Sequence, residues 1–361
     1  MNRQLKILHI APQNFAGVPY DFMRMHNKLG DFSRLITLHK NPVTFPEDIC
    51  LDLPLPGSLL AKKWRKKKVA LRKKQNLASA PYFSPKNIFE KIYFRFSDIS
   101  KSKTVDELLK KYSLDNFEII HYDGGIDFFR NSKQALRWKS EGKKIVCCYY
   151  GSDLRLRGLI RDMHKISDLN ITSEFDHLSL LQNIKYLFYP YDTSELPLKV
   201  NREDKKVRIV HSPTNRAYKG TELILRVIER VKKNREIDFV LLENVPRDIV
   251  LREKSLSDIS IDQVGGSMGG TGYGKAGLET LAMGLPTITN MTDDYLNWLP
   301  ENPFVVVNNE ETLFEKLIEL IDDYNLRNFI GEKGKLWVEK YHGFDSVNSR
   351  LIGYYKEAGI V

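Results

Sequence analysis

Short apolar, β-branched runs alternate with helix-forming stretches along the whole chain, and this alternation allows few folds. Leu5-Lys6-Ile7-Leu8-His9-Ile10-Ala11-Pro12 reads as a buried strand, followed by a loop with Gly17 and then a helix from about Pro19 to Leu29. Further strands are expected at Glu118 to His121 and Lys144 to Tyr150, with helix-forming stretches at Val105 to Lys111 and Lys133 to Ser140. Strands joined through helices need right-handed crossovers, so the pattern predicts parallel sheets. At 361 residues the chain exceeds what one core organises. A break falls after Leu187-Phe188-Tyr189-Pro190-Tyr191-Asp192, in the polar run Lys199 to Lys206. A second pattern then begins with a strand at Lys206 to His211. Thr221 is expected to cap a helix with Leu223, Ile224, Val227, Ile228 and Val231 on one face, followed by a strand at Ile237 to Leu242. A strand at Ile259 to Ile261, a glycine-rich segment, a helix from about Lys275 to Met283 and a strand at Thr287 to Thr289 come next, and the tail from Glu310 to Ala358 reads as mostly helical. Two α/β domains are therefore expected, 1–195 and 196–361, with a last helix at about 344–358 packing back on the first.

Composition removes several classes of function. No apolar run approaches the roughly 18 to 20 residues needed to span a bilayer, and the start leads into only a short apolar stretch, Ile7 to Ala11. Three cysteines, two of them adjacent at Cys147 and Cys148, provide neither a disulfide framework nor metal-ligand spacing, so a reducing cytoplasm is the expected compartment and no metal is expected. The net charge of +10 is uneven: residues 1–200 carry 34 Lys/Arg against 21 Asp/Glu, and the remainder 22 against 25. An anionic partner would therefore meet the first half.

The chemistry concentrates in Asp258 to Pro286, where six glycines between Gly265 and Gly274 join a strand to a helix. Such a loop leaves backbone N–H groups free at a helix N-terminus, where the partial positive charge favours a phosphate. Glu279 lies about one turn into the helix, and its carboxylate there would suit the hydroxyls of a ribose.

These residues closely resemble the C-terminal half of retaining glycosyltransferases of the GT-B fold, in particular glycosyltransferase family 4. The family's helix of the form Glu-Ala-Met-Ala-x-Gly-x-Pro is matched by Glu279-Thr280-Leu281-Ala282-Met283-Gly284-Leu285-Pro286. Its phosphate-binding loop with an Arg and a Lys-Gly is matched, at shorter spacing, by Arg216 and Lys219-Gly220. Tyr150-Gly151-Ser152-Asp153 is similar to the family's His-Gly-x-Asp loop, and Ile119-Ile120-His121 to a central strand ending in His. The resemblance implies an α/β GT-B architecture, two Rossmann-like domains facing each other across a cleft. It implies a metal-independent, hexosyl-type transfer from a nucleotide-sugar substrate, with no cofactor. Glu279 would hold the ribose, and Arg216 and Lys219 the diphosphate. Thr271, Gly272, Tyr273 and Gly274 would face the sugar, with Gly17, Asp153 and His121 on the opposite wall. Asp153, His121, Arg216 and Lys219 are the candidate catalytic groups.

Two positions depart from the family. Thr271 stands where relatives often carry a second glutamate, and Tyr150 where many carry a histidine. Asp262-Gln263, just upstream, could assist sugar recognition or be structural only. Between Leu59 and Lys74 lie nine basic residues and no acidic ones, among them Lys62, Lys63, Arg65, Lys66, Lys67 and Lys68 around Trp64. On a helix this run suits the surface of an anionic membrane, a solvated face or, less readily, nucleic acid. No nucleic-acid module is recognisable. The expectation is a transferase at the inner face of the plasma membrane, acting on a glycan or polyprenyl-diphosphate-linked acceptor in surface polysaccharide synthesis. The rival is a catalytically silent relative that binds a glycan, lipid or partner enzyme. A sugar-nucleotide epimerase of the same fold is a third reading.

Overall fold

The computed structural model describes residues 3–41, 45–53, 79–85, 88–200, 206–265 and 272–361. The chain divides into two compact units, Met1–Pro190 with Val347–Val361, and Tyr191–Ser346.

The first unit is built on a seven-stranded parallel sheet. Its strands are β1 (Lys6–Ala11), β2 (Phe32–Thr37), β3 (Ile49–Cys50), β4 (Ile119–Asp123), β5 (Lys144–Tyr149), β6 (Leu169–Thr172) and β7 (Ile184–Tyr186), in the order β3-β2-β1-β4-β5-β6-β7. β1, β4 and β5 are buried almost throughout, as strands covered on both faces must be. Trp138, Tyr122, Tyr149 and Phe128 fill the core. Helix Phe344–Glu357 runs into the segment that belongs to this unit, and its Tyr355 is fully buried against His121.

The second unit is a five-stranded parallel sheet of β8 (Val207–His211), β9 (Ile237–Leu241), β10 (Ile259–Gln263), β11 (Thr287–Thr289) and β12 (Val305–Val306), ordered β12-β11-β10-β8-β9. Helices Thr221–Lys232 and Glu310–Asp322 cover it with the apolar stripes Ile224-Val227-Ile228-Val231 and Leu313-Leu317-Leu320.

Three details differ from expectation. Thr221 does not cap its helix: the cap is Gly220 in the left-handed region, and the Thr221 hydroxyl instead meets His211 Nε2 at 2.9 Å. The helix foreseen only at Val105 to Lys111 begins at Ile88, because the apolar groups of its first turns face outward and those of its last turns inward, so the sequence lacks a single helical period. β2, β3, β6 and β7 add strands on both sides of the anticipated β1, β4 and β5, several of them only two to four residues long.

Candidate functional site

In the second unit β8 lies between β9 and β10, so the chain leaves β8 toward one side of the sheet and later returns on the other. Parallel α/β sheets take ligands outside the carboxyl ends of strands at such a switch point. Two loops meet there, one after β8 and one after β10.

Side chains tie these loops together. Lys219, which ends the single turn Arg216–Lys219, donates from Nζ to Asp262 Oδ1 at 2.6 Å and to Gln263 Oε1 at 3.3 Å. Asp262 Oδ2 accepts from the Gly274 N–H at 3.1 Å, at the cap of helix Lys275–Ala282, and Gln263 Nε2 donates to the Gly272 carbonyl at 2.7 Å. The Val264 N–H closes the group onto the Lys219 carbonyl at 3.2 Å. The Asp262 side chain is 1% exposed and that of Lys219 13%. Among the described residues, Asp262 and Gln263 account for two of the three ammonium donors of Lys219. This leaves a fixed cation beside the N-terminus of a helix, an arrangement suited to a phosphate. Gly272 is required here for space, since a Cβ would sit 2.0 Å from the Tyr295 ring.

The other predicted residues of this unit are placed differently. Glu279 is the fifth residue of its helix, as expected, but its carboxylate does not face open space. It accepts from Lys254 Nζ at 2.7 Å and Arg247 Nη1 at 2.5 Å, with 4% of its side chain exposed. Burial alone would raise this carboxyl; Lys254 and Arg247 hold it below the usual value. Arg247 and Lys254 lie in helix Arg247–Ser255, whose string of surface charges gave no sign in the sequence that one would be buried. The group that reaches outward is Arg247, with 29% of its side chain exposed. Arg216 stands apart from Lys219, paired at the surface with Glu243 and Glu222. Tyr273 stacks on Phe304 at 4.6 Å and its hydroxyl meets His342 Nε2 at 2.8 Å, so its side chain anchors the loop rather than presenting itself to a sugar.

In the first unit Gly17 (φ 73°) caps helix Val18–Lys28 at the end of β1, as the glycine turn predicts. His121 is not on an open wall. It is 1% exposed, bonded through Nε2 to the Tyr355 hydroxyl at 2.5 Å, and packed against His9 and His26 with ring centres 4.6 and 6.1 Å away. Burial, then the neighbouring His26, pushes its pKa well down, so it stays neutral and enclosed. Asp153 binds its own turn, accepting from the Tyr150, Gly151 and Leu154 N–H groups at 2.8 to 3.0 Å. Asp123 at the end of β4, one aspartate in an apolar run, carries no motif that marks it in the sequence. Its carboxyl is pushed well up by burial and then by Asp153, with Arg157 acting in the opposite sense. A groove of about 870 Å³ lies at the other end of this sheet, lined by Arg3, Asp31, Glu118 and Lys144 among others, and contains none of the predicted site residues.

Thr271 and the run Lys62, Lys63, Trp64, Arg65, Lys66, Lys67 and Lys68 lie outside the described residues. Among the described residues no cluster of three or more His, Cys, Asp or Glu could hold a metal, and no helix is long and apolar enough to cross a membrane.

No protein-family model matches the chain, and no curated protein does. Solved structures are similar over its full length. HepE of Anabaena, in complex with UDP, aligns over 98% of this chain and 100% of its own at 10% identity and a TM-score of 0.58. The catalytic domain of starch synthase IV from Arabidopsis thaliana, bound to ADP and acarbose, aligns over 99% of each chain at 12% identity and a TM-score of 0.59. The fold is GT-B. TarM is also similar, at 9% identity over 98% of this chain and 99% of its own, with a TM-score of 0.58. Within the GT-B fold, the loops joined by Lys219 and Asp262 end the central strands of the second Rossmann-like unit.

Proposed function

We propose that the chain is a metal-independent retaining glycosyltransferase that binds a nucleotide-sugar at the loops after β8 and β10. The observation that carries this reading is the Lys219 ammonium, fixed by buried Asp262 beside the cap of helix Lys275–Ala282. In such a transfer the bond from the anomeric carbon to the phosphate oxygen breaks, one to the acceptor oxygen forms, and the acceptor's hydroxyl proton passes to the departing phosphate. Negative charge then grows on the departing diphosphate, and a preorganised cation there lowers the barrier. Gly272 and Gly274 offer backbone close to the sugar, with Thr271 beside them in sequence. Arg216 would reach the diphosphate only by leaving Glu243 and Glu222, and Glu279 supports the ribose through Arg247. The acceptor is a glycan or a lipid-linked sugar, as in surface polysaccharide synthesis at the inner face of the plasma membrane. The test is turnover: nucleotide sugars are supplied with glycan acceptors, and released nucleotide diphosphate is measured with the anomeric configuration of the product by NMR. Retention supports the reading; an inverted product contradicts the retaining mechanism.

A second reading, a catalytically silent binding subunit, is favoured by one observation. Both His121 and Glu279 are buried and saturated by internal partners. Nucleotide binding without turnover by the purified protein, and turnover restored by a second transferase, would favour it.

A further inference from the structure

Helix Ile88–Lys111 is apolar on the side facing away from its own unit. Phe89 is 74% exposed, Phe96 68%, Ile88 66%, Ile99 63%, Tyr93 51% and Ile92 46%. At 100° per residue these six fall within one arc of about 140°. The groups that pack inward, Val105, Leu108 and Leu109, lie toward the opposite side. Scattered exposed apolar residues are ordinary, but a continuous stripe over the first three turns marks an interaction surface.

We infer that this stripe is a docking face for an anionic lipid surface, and charge decides between the possible occupants. Exposed Lys91, Arg95 and Lys103 lie on the same helix. From residue 88 to residue 103 the exposed charged groups are all cations, whereas Glu90 and Asp98 are half-buried. A second copy of the chain would bring the same positive charge to the contact, whereas a leaflet of acidic headgroups neutralises it and accepts the aromatic rings at the interfacial depth. The helix would lie in the plane of the interface with Phe89, Tyr93 and Phe96 inserted. This inference does not depend on the site after β8 and β10.

Co-flotation of the full-length protein with phosphatidylcholine vesicles, with and without phosphatidylglycerol, tests it. Binding is expected to vesicles containing phosphatidylglycerol, to weaken with salt, and to fall roughly tenfold or more in a Phe89→Ser/Phe96→Ser variant. Both side chains are exposed, so the variant should keep the wild-type circular dichroism and melting temperature. Equal binding by variant and wild type would overturn the inference and assign attachment to charge alone. So would failure of the wild type to bind either vesicle. Concentration-dependent dimers that the double variant abolishes, with no vesicle binding, would give the face to a second copy.

Discussion

Both units bury histidines in the neutral form, and they differ in the acids they bury. In the first, His9, His26 and His121 pack together with pKa values driven down by burial, that of His26 to about 3, and the Asp123 carboxyl is driven up. In the second, His211 at the end of β8 is likewise driven down, to about 4. The second pairs its most deeply buried acids with cations, Glu279 with Lys254 and Arg247, and Asp262 with Lys219. Neutral groups stabilise a core without fixing a charge in space. Paired ions cost desolvation, repaid here by holding cations at a defined position, which is what recognition of a phosphate requires.

The contrast can be broken most strongly at Lys254. Lys254→Met leaves Glu279 buried beside Arg247 alone and should cost about 3 to 5 kcal/mol in urea unfolding, most of it recovered in Lys254→Met/Glu279→Gln. A loss under about 1 kcal/mol would place this pair among ordinary surface pairs.

Acid should sharpen the contrast. His26 has a folded pKa of about 3 against about 6.5 unfolded, so below 6.5 the unfolded chain binds the extra proton. The contribution of His26 to stability is thus complete above about pH 6.5 and is lost as pH falls toward 3. Relative to wild type, His26→Phe should gain up to about 1.4 kcal/mol per pH unit across that window. A difference that is flat with pH would mean that His26 is protonated inside the fold. Glu279, with its value lowered, contributes stability above the unfolded carboxylate pKa that is lost only at more acid pH.

The smallest effect belongs to the surface. Arg216→Ala removes pairs with Glu222 and Glu243 that water already screens, and the melting temperature should not change measurably. A clear drop would show that Arg216 acts structurally, as Lys254 does.

Much of this was legible in the sequence. The apolar runs at Ile7 and Ile145, the glycine loop and the helix carrying Glu279 foretold parallel sheets in two units, because burial on both faces leaves continuous apolar strands. What escaped were partners. Arg216 and Lys219 look equivalent as cations in one loop, and only the fold turns Lys219 toward Asp262 and Arg216 toward Glu243. Lys254 and Arg247 sit in an unremarkable charged helix, yet they determine that Glu279 is closed. The first turns of helix Ile88–Lys111 are not legible in the sequence because an outward apolar stripe there cancels the inward one farther along.

The central claim is that the cation held by Asp262 receives a nucleotide diphosphate, and calorimetric titration of UDP, ADP and GDP into wild-type and Lys219→Ala protein tests it most directly. At least one nucleotide should bind the wild type, with affinity reduced roughly tenfold or more in Lys219→Ala, the loss of about one charge-assisted contact. Binding of none of the three, or equal binding by both proteins, would contradict it.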